Sequence, residues 1–463
     1  MELLEQVLEN NNLYQAIAKV VSNKGSGGVD GMNVEDGSKY FMKNIETIKE
    51  NIRKRTYKPL PVKRVEIPKP DGGVRLLGIP CVVDRIIQQA INQVLTPIYE
   101  QQFSETSYGF RPNRDCHKAI AKSLEYLNDG YKTIVDIDLE KFFDKVNHDK
   151  LMRTLYQTIN DGDLLSLIRK YLVSGIMSNG IVIESEEGTP QGGPLSPLLS
   201  NIMLNELDKE LEKRGLRFVR YADDCNIYVK SERAGLRVME SITRFIEGDL
   251  KLKVNKSKSK VAPFNEVKFL GFGFYYNPSC RKVRVIVHPK SVKRIKEKLK
   301  ALTLRSWGVS LDYRLLKLKQ VIYGWVNYYK IADMITLLKE LDKTIRTRIR
   351  MCIWKAWKTI TKRYKSLIKL RNLLKVKKSD EDIWAIANTR KGYMHTACGA
   401  LNSLIQNKTL AARGLVSIEF YYRAVRYISE PPYTERYVRW CERSEVLKFL
   451  FKISSYSILI YMY

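Results

Sequence analysis

Histidine is scarce in this chain: the 4 residues His117, His148, His288 and His395 are too dispersed to form a catalytic set and read as structural or surface groups. The 7 cysteines, Cys81, Cys116, Cys225, Cys280, Cys352, Cys398 and Cys441, contain no C-x-x-C pair. That argues against a zinc ribbon or a disulfide framework and leaves reduced, mostly structural thiols. No run approaches the ~18–20 apolar residues that a membrane-spanning helix needs. The start, Met1-Glu2-Leu3-Leu4-Glu5, lacks both the apolar stretch of a signal peptide and the arginine-rich face of a transit peptide. A bacterial cytoplasm is therefore the expected compartment. Acid is also short: 50 Asp and Glu face 80 Lys and Arg, a net +30 over 463 residues. Such an excess speaks of partners rather than of fold. It suits nucleic acid, which would then be held in a salt-dependent way, or an anionic membrane.

What is present is apolar content of 44%, enough for cores in two to four compact units. Residues 1–22 suggest one short helix, followed by a glycine-rich loop, Asn23 to Gly31, that reads better as a linker than as a phosphate cradle. Val62–Pro68 and Val74–Ile79, around Pro70-Asp71-Gly72-Gly73, predict a hairpin. Val83, Ile87, Ile91, Leu95 and Ile98 recur at helical spacing over 82–100. Lys132–Leu139 and Phe218–Val229 read as strands and 195–213 as a long helix. From about 290 the pattern turns helical, with stripes at Val292, Ile295, Leu299 and Leu302, then from Leu311 to Tyr329, then at Ile345, Ile349, Cys352 and Ala356. No solenoid repeat is present.

Charge is concentrated. Residues 281–378 hold 29 Lys and Arg against 5 Asp and Glu, a local +24. Trp307, Trp325, Tyr328, Tyr329, Trp354 and Trp357 interleave with it, which suits a phosphate-tracking surface. A solvated face over an aromatic core is the competing reading for any single helix.

Transfer of a nucleotidyl group needs little covalent help from protein. It needs two divalent ions ~3.5–4 Å apart, held by a few carboxylates on rigid elements. Two segments offer them. In Thr133-Ile134-Val135-Asp136-Ile137-Asp138-Leu139, strand alternation puts Asp136 and Asp138 on one face. In Val219-Arg220-Tyr221-Ala222-Asp223-Asp224-Cys225-Asn226-Ile227, a strand-forming run is interrupted by an acid pair that a two-residue hairpin would present at its tip. An isolated Asp-Asp is usually a solvated turn; the strand-forming flanks and the acidic strand upstream point instead to a site.

Tyr221-Ala222-Asp223-Asp224 resembles the Y-x-D-D box of reverse transcriptases. The blocks around it, in order over about residues 20–425, resemble bacterial group II intron-encoded reverse transcriptase/maturases of the short, endonuclease-lacking (class C-like) type. They are Val65-Glu66-Ile67-Pro68-Lys69-Pro70, Arg75-Leu76-Leu77-Gly78-Ile79-Pro80, Ser107-Tyr108-Gly109-Phe110-Arg111-Pro112, Asp138 to Asp144 and Gly188 to Pro197. Leu252 to Lys258, Phe269-Leu270-Gly271-Phe272 and Ile386 to Tyr393 complete the series.

The resemblance implies that Asp138 and Asp223 bind metal, with Asp224 beside them and the Leu139 carbonyl as a backbone ligand for two Mg²⁺ ions, Mn²⁺ able to substitute. Asp136 and Asp144 become supporting acids. Phe143 becomes the ring that packs on the incoming sugar and leaves no room for a 2′-hydroxyl, unless it is core like Phe142. Lys69 and Arg75 would clamp the triphosphate. Gln191 would lie near the base pair and Lys258 near the nucleotide, with Lys256 and Lys260 as competitors. Arg111, Arg114, Lys293, Lys296, Arg346, Arg350, Arg390 and Lys391 are expected nucleic-acid contacts.

The implied architecture is α/β (α+β): a right-hand polymerase with fingers and palm, an all-α thumb and a small helical DNA-binding region. Expected boundaries are an N-terminal extension at 1–35, fingers and palm at 36–288, thumb at 289–365, DNA-binding region at 366–428 and a tail of unassigned role at 429–463. Expected partners are intron RNA, an RNA template with a DNA or RNA primer, target DNA and dNTPs, with no membrane. No C-x-x-C or H-N-H-like segment follows 430, so cutting of the second DNA strand is not expected. A third reading, RNA-directed RNA synthesis, predicts equal use of rNTPs and dNTPs, and two alternatives stay open beside it. One is a reverse transcriptase recruited to a CRISPR-associated or diversity-generating element; the other is a splicing factor without polymerase activity.

Overall fold

The computed structural model describes residues 2–68, 72–178, 181–183, 187–189 and 192–429, without the side chains of Arg75, Ser178 and 427–429. Lys69, Gln191, the Arg75 side chain and the tail beyond 429 thus lie outside the described residues. The chain divides into two compact units, one of residues up to Leu270 with Tyr276–Val283, the other of Gly271–Tyr275 with the residues from Arg284 on.

The first unit holds two four-stranded sheets. One has the order β2-β1-β4-β5, with β1 Val62–Pro68, β2 Val74–Ile79, β4 Ile176–Ser178 and β5 Ile181–Ile183. β1 and β2 form the expected hairpin, in register Val65↔Leu77. The other sheet has the order β6-β7-β3-β8, with β3 Thr133–Ile137, β6 Arg217–Tyr221, β7 Asp224–Val229 and β8 Lys260–Pro263. β3 is central, antiparallel to β7 (Val135↔Ile227) and to β8 (Val135↔Val261).

Alternation decides its two faces. Val135, Ile137, Cys225, Ile227 and Val229 enter the main core together with Ile242 and Ile246 of the Glu232–Gly248 helix. Each such burial contributes roughly 1.5–3 kcal/mol. Asp136 and Asp138 therefore share the opposite face, as the spacing requires. The Val82–Glu100 and Ser196–Lys213 helices follow the expected ranges, the latter with Pro197 in its first turn.

The N-terminal helix expected over 1–22 is instead two helices, Leu3–Leu8 and Asn10–Asn23, broken at Glu9, whose backbone is extended (ψ 135°). The break lets two apolar sets, Leu4-Val7-Leu8 and Leu13-Ala16-Val20, both reach the core.

The second unit is helical apart from its share of the two-stranded sheet β9 Phe272–Asn277 and β10 Lys282–Val287. Helices Pro289–Leu302, Leu311–Tyr329 and Ile335–Ala356 bury the three apolar stripes seen in the sequence. Two of the six interleaved aromatics are buried in that core, Trp354 (2% exposed) and Tyr329, on which the half-buried Trp325 packs (5.1 Å between centroids). The buried Asp342 carboxylate caps the Ile418–Ser429 helix by accepting from the Ile418 N–H (2.8 Å) and the Ser417 hydroxyl (2.7 Å). Among the described residues no helix is long and apolar enough to cross a membrane.

Candidate active site

The β6–β7 connection has two residues, Ala222 and Asp223, between the paired Tyr221 and Asp224. Asp223 stands in the turn and Asp224 opens β7, so only one of the two acids is at the tip. Ala222 has φ +57°, a left-handed conformation that costs a non-glycine residue roughly 1–2 kcal/mol. A buried frame holds it there. Arg220, 0% exposed, donates to the Ala222 carbonyl (2.9 Å), the Asn201 amide oxygen (3.0 Å) and both oxygens of the buried Asp208 carboxylate (2.7 and 2.5 Å). Asn201 donates in turn to the Gly109 carbonyl at 2.8 Å. Gly109 presses so closely on the turn that a Cβ there would lie 2.2 Å from the Ala222 nitrogen.

These positioning residues escaped the sequence reading. The available signal was Arg220 itself: alternation puts it on the same face as Phe218, and a buried guanidinium requires a carboxylate partner.

Asp138 reaches the same place from β3. Pairing of β3 with β7 runs to Ile137↔Cys225, so the next residue emerges beside Asp224. Its N–H donates to the Ser259 hydroxyl (3.0 Å) and its carbonyl accepts from the Asn255 N–H (2.8 Å). The Leu139↔Val254 bridge exchanges its bonds through the Asp138 carbonyl and the Glu140 N–H, the latter donating to Lys253 at 2.8 Å. In such a bridge the Leu139 carbonyl points away from Val254, toward the side of β3 on which β7 lies. The Lys258 ammonium is 3.5 Å from the Asp138 carboxylate, whereas Lys260 donates to the Glu266 carbonyl (2.7 Å). Of the competing lysines, Lys258 is the one paired with Asp138, while Lys260 lies across the strands from Asp136.

The acids repel one another. Asp224, exposed along one edge, is pushed up to about 6, first by loss of surrounding water and then by the Asp223 and Asp138 carboxylates. Asp136, behind them, is pushed up to about 7 by burial first, then by Asp224, with Lys260 pulling the other way. A cluster of like charges with only oxygen donors is the donor chemistry of a hard divalent cation, which would relieve the repulsion. Among the described residues no group of three or more His, Cys, Asp or Glu side chains is gathered closely enough to hold a metal ion as it stands.

Just past Asp138, Phe142 enters the core and Phe143 stands half-buried at its edge, the rings 5.3 Å apart. The Phe143 carbonyl accepts from the Thr189 N–H (2.6 Å), the Val146 carbonyl from the Gly188 N–H (2.7 Å), and the His148 ring bonds the Gly188 carbonyl (2.6 Å). On the other flank a Cβ at Gly192 would lie 2.4 Å from the Gly78 carbonyl of β2. The segments on both sides of Gln191 are thus tied to the Phe143 segment and to the strand whose backbone carries Arg75.

Residues 67–274, which include this whole cluster, match the model of the reverse transcriptase (RNA-dependent DNA polymerase) family, and residues 292–371 match the group II intron maturase-specific domain. The chain belongs to the group II intron-encoded reverse transcriptases. It is 33% identical over 320 residues to protein YkfC of Escherichia coli (strain K12), covering 60% of this chain and 83% of that protein. It is 30% identical over 336 residues to the group II intron-encoded protein LtrA of Lactococcus lactis subsp. cremoris, covering 58% of this chain and 56% of LtrA. A solved partial Cas6-RT-Cas1–Cas2 complex aligns with 54% of this chain and 43% of its own at 26% identity and TM-score 0.36, too loosely to bear on the fold. A reverse transcriptase of this family binds nucleic acid and depends on divalent metal, in keeping with the basic charge and the acid cluster.

Two of the expected nucleic-acid contacts of this reverse transcriptase need correction. Arg111, its side chain 2% exposed, is committed to Glu100 (2.8 Å) and to the Ser107 carbonyl (2.7 Å). Arg350, also buried, donates to the Ile405 carbonyl and to Asn407, each at 2.8 Å. Both guanidiniums hold the fold and cannot reach a phosphate. Arg114 pairs with Glu105 (2.6 Å), Lys296 with Glu340 (2.8 Å) and Arg346 with Asp342 (3.4 Å). Lys293, Arg390 and Lys391 are exposed.

Proposed function

We propose that this chain copies RNA into DNA at Asp138, Asp223 and Asp224, and that its basic second unit grips the RNA of a parent group II intron. It would thereby assist splicing and the copying of the intron after its insertion into DNA. Two Mg²⁺ ions, Mn²⁺ able to substitute, would when bound supply Lewis-acid activation of the primer hydroxyl and neutralise charge on the pyrophosphate. Asp138 and Asp223, with Asp224 and the Leu139 carbonyl, are the oxygen donors that would hold them. Arg220, through the Ala222 carbonyl, sets the position of the turn that bears Asp223. Phe143 is assigned to exclude a ribose 2′-hydroxyl, and Lys69, Arg75, Gln191 and Lys258 to the incoming dNTP. Lys293, Lys296, Arg346, Arg390 and Lys391, with Arg114, are assigned to RNA template, primer and target DNA.

The observation that carries the reading is the convergence of carboxylates from two distant stretches at the ends of β3 and β6–β7. Arg220, which donates to the turn at the Ala222 carbonyl, is itself neutralised by Asp208. Asp223→Ala tests it. Primer extension on an RNA template should fall by at least ~10²-fold, as expected when transition-state charge loses its stabiliser, while RNA binding and splicing assistance persist. Survival of cDNA synthesis in that variant refutes the assignment; wild-type splicing assistance without any cDNA synthesis favours a polymerase-dead splicing factor.

A further inference from the structure

We infer that a cavity in the second unit takes an unpaired segment of RNA with its bases turned inward, an inference that rests on the RNA-binding reading above. The cavity measures about 910 Å³, at the upper end of the ~300–1,000 Å³ typical of small-molecule-sized sites. The loop from Arg305 to Leu311, the end of the Ile335–Ala356 helix, the Ile360–Leu374 helix and the Asn407–Ala412 helix enclose it.

Two properties of its lining select the occupant. Trp307, Trp357, Leu370 and Leu410 give it apolar surface, and Leu373 stands there 73% exposed. Arg305, Lys355, Lys358, Lys369 and Arg413 also line it, with no acidic residue among the lining set. An apolar peptide would leave these cations, and Arg314 beside them in the lining, without counter-charge. A duplex offers phosphates but keeps its bases stacked inside, so the indoles and Leu373 would gain nothing. A single strand supplies both, since every base has an apolar face and every linkage a charge.

The wall is built in advance. Arg314, 3% exposed, lies over the Trp307 ring at 5.0 Å and donates to the Leu302 (2.6 Å) and Trp307 (2.9 Å) carbonyls. Trp357 rests edge-on to Trp354 at 6.2 Å. Residues 292–371, the maturase-specific match, supply most of the lining, and this favours RNA over DNA as the strand.

The test uses the full chain and three fluorescent probes: a 12-nucleotide unstructured RNA, the same RNA fully paired, and the DNA of the same sequence. Trp357→Ala and, because it is exposed and tolerates change, Leu373→Asp should each weaken single-stranded RNA binding about tenfold or more. Duplex binding and primer extension on a pre-annealed template should change less than about threefold. Equal losses on duplex and single strand overturn the inference, as does a loss confined to DNA. Unchanged RNA affinity in both variants overturns it while leaving RNA binding by the chain intact. Failure of the unmodified chain to bind any RNA sinks the RNA-binding reading itself.

Discussion

Replacing Gly109 with alanine would place a methyl carbon 2.2 Å from the Ala222 nitrogen, 2.9 Å from the Tyr221 carbonyl carbon and 3.0 Å from the Ala222 Cα. Carbon atoms in good contact sit ~3.5–4.0 Å apart, so the two backbones must separate by roughly 1 Å. No flexible side chain can absorb that, because all three obstacles are backbone. Nor can the turn move freely, since Arg220 ties its Ala222 carbonyl to Asp208 and Asn201, and Asn201 also holds the Gly109 carbonyl. The displacement therefore reaches Asp223. A misplacement of ~1 Å at a reacting centre costs on the order of 10² in rate, about 2.7 kcal/mol of barrier. Overpacking itself costs ~1–3 kcal/mol of stability, which leaves a folded variant. Single-nucleotide primer extension at saturating dNTP should show kcat down about 100-fold, with RNA affinity and the circular dichroism spectrum retained. A Gly109→Ala enzyme with kcat within about threefold of the parent would show that this contact does not position the catalytic turn.

Four further outcomes are expected. Phe143→Ala should raise rNTP incorporation relative to dNTP by roughly tenfold or more in competition assays, and an unmodified enzyme indifferent to the sugar removes the gate. Asp208→Ala leaves the Arg220 charge buried without its partner and should cost ~3–5 kcal/mol in urea unfolding, whereas a loss below ~1 kcal/mol contradicts the frame. Lys258→Ala should raise KM for dNTP severalfold with an unchanged melting temperature, because an exposed ion pair contributes only ~0–1 kcal/mol. Burial pushes Asp84 from 3.8 up to about 6, against the Tyr57 hydroxyl and the Leu60 N–H that bond it. The folded chain thus holds this proton more tightly than the unfolded one. Its contribution is fully present below about pH 4 and is lost as pH rises through about 6. Asp84→Asn should flatten that limb of the stability profile in denaturant titrations at stepped pH, and an unaltered slope would locate the effect elsewhere.

Chemistry of a restrictive kind made the central acids readable in one dimension. Few strand segments carry an i, i+2 acid pair or an Asp-Asp between β-formers, and period-two alternation alone puts Asp136 and Asp138 on one face. The hairpin of β1 and β2, the Val82–Glu100 helix and the three apolar stripes after residue 289 were likewise set by local periodicity and turn residues. Tertiary structure decided what periodicity cannot encode, namely which distant partner each polar group meets. Arg111 and Arg350 have the same charge as Lys293, yet carbonyls and a carboxylate from other segments bury them. Lys258 rather than Lys260 faces Asp138 because the chain bends between Asn255 and β8. Phe142 and Phe143 are neighbours, and only the packing of the core tells which is filler and which stays half-exposed at its edge. Arg220, Asp208, Asn201 and Gly109 form one frame from three segments, and its logic exists only once those segments touch.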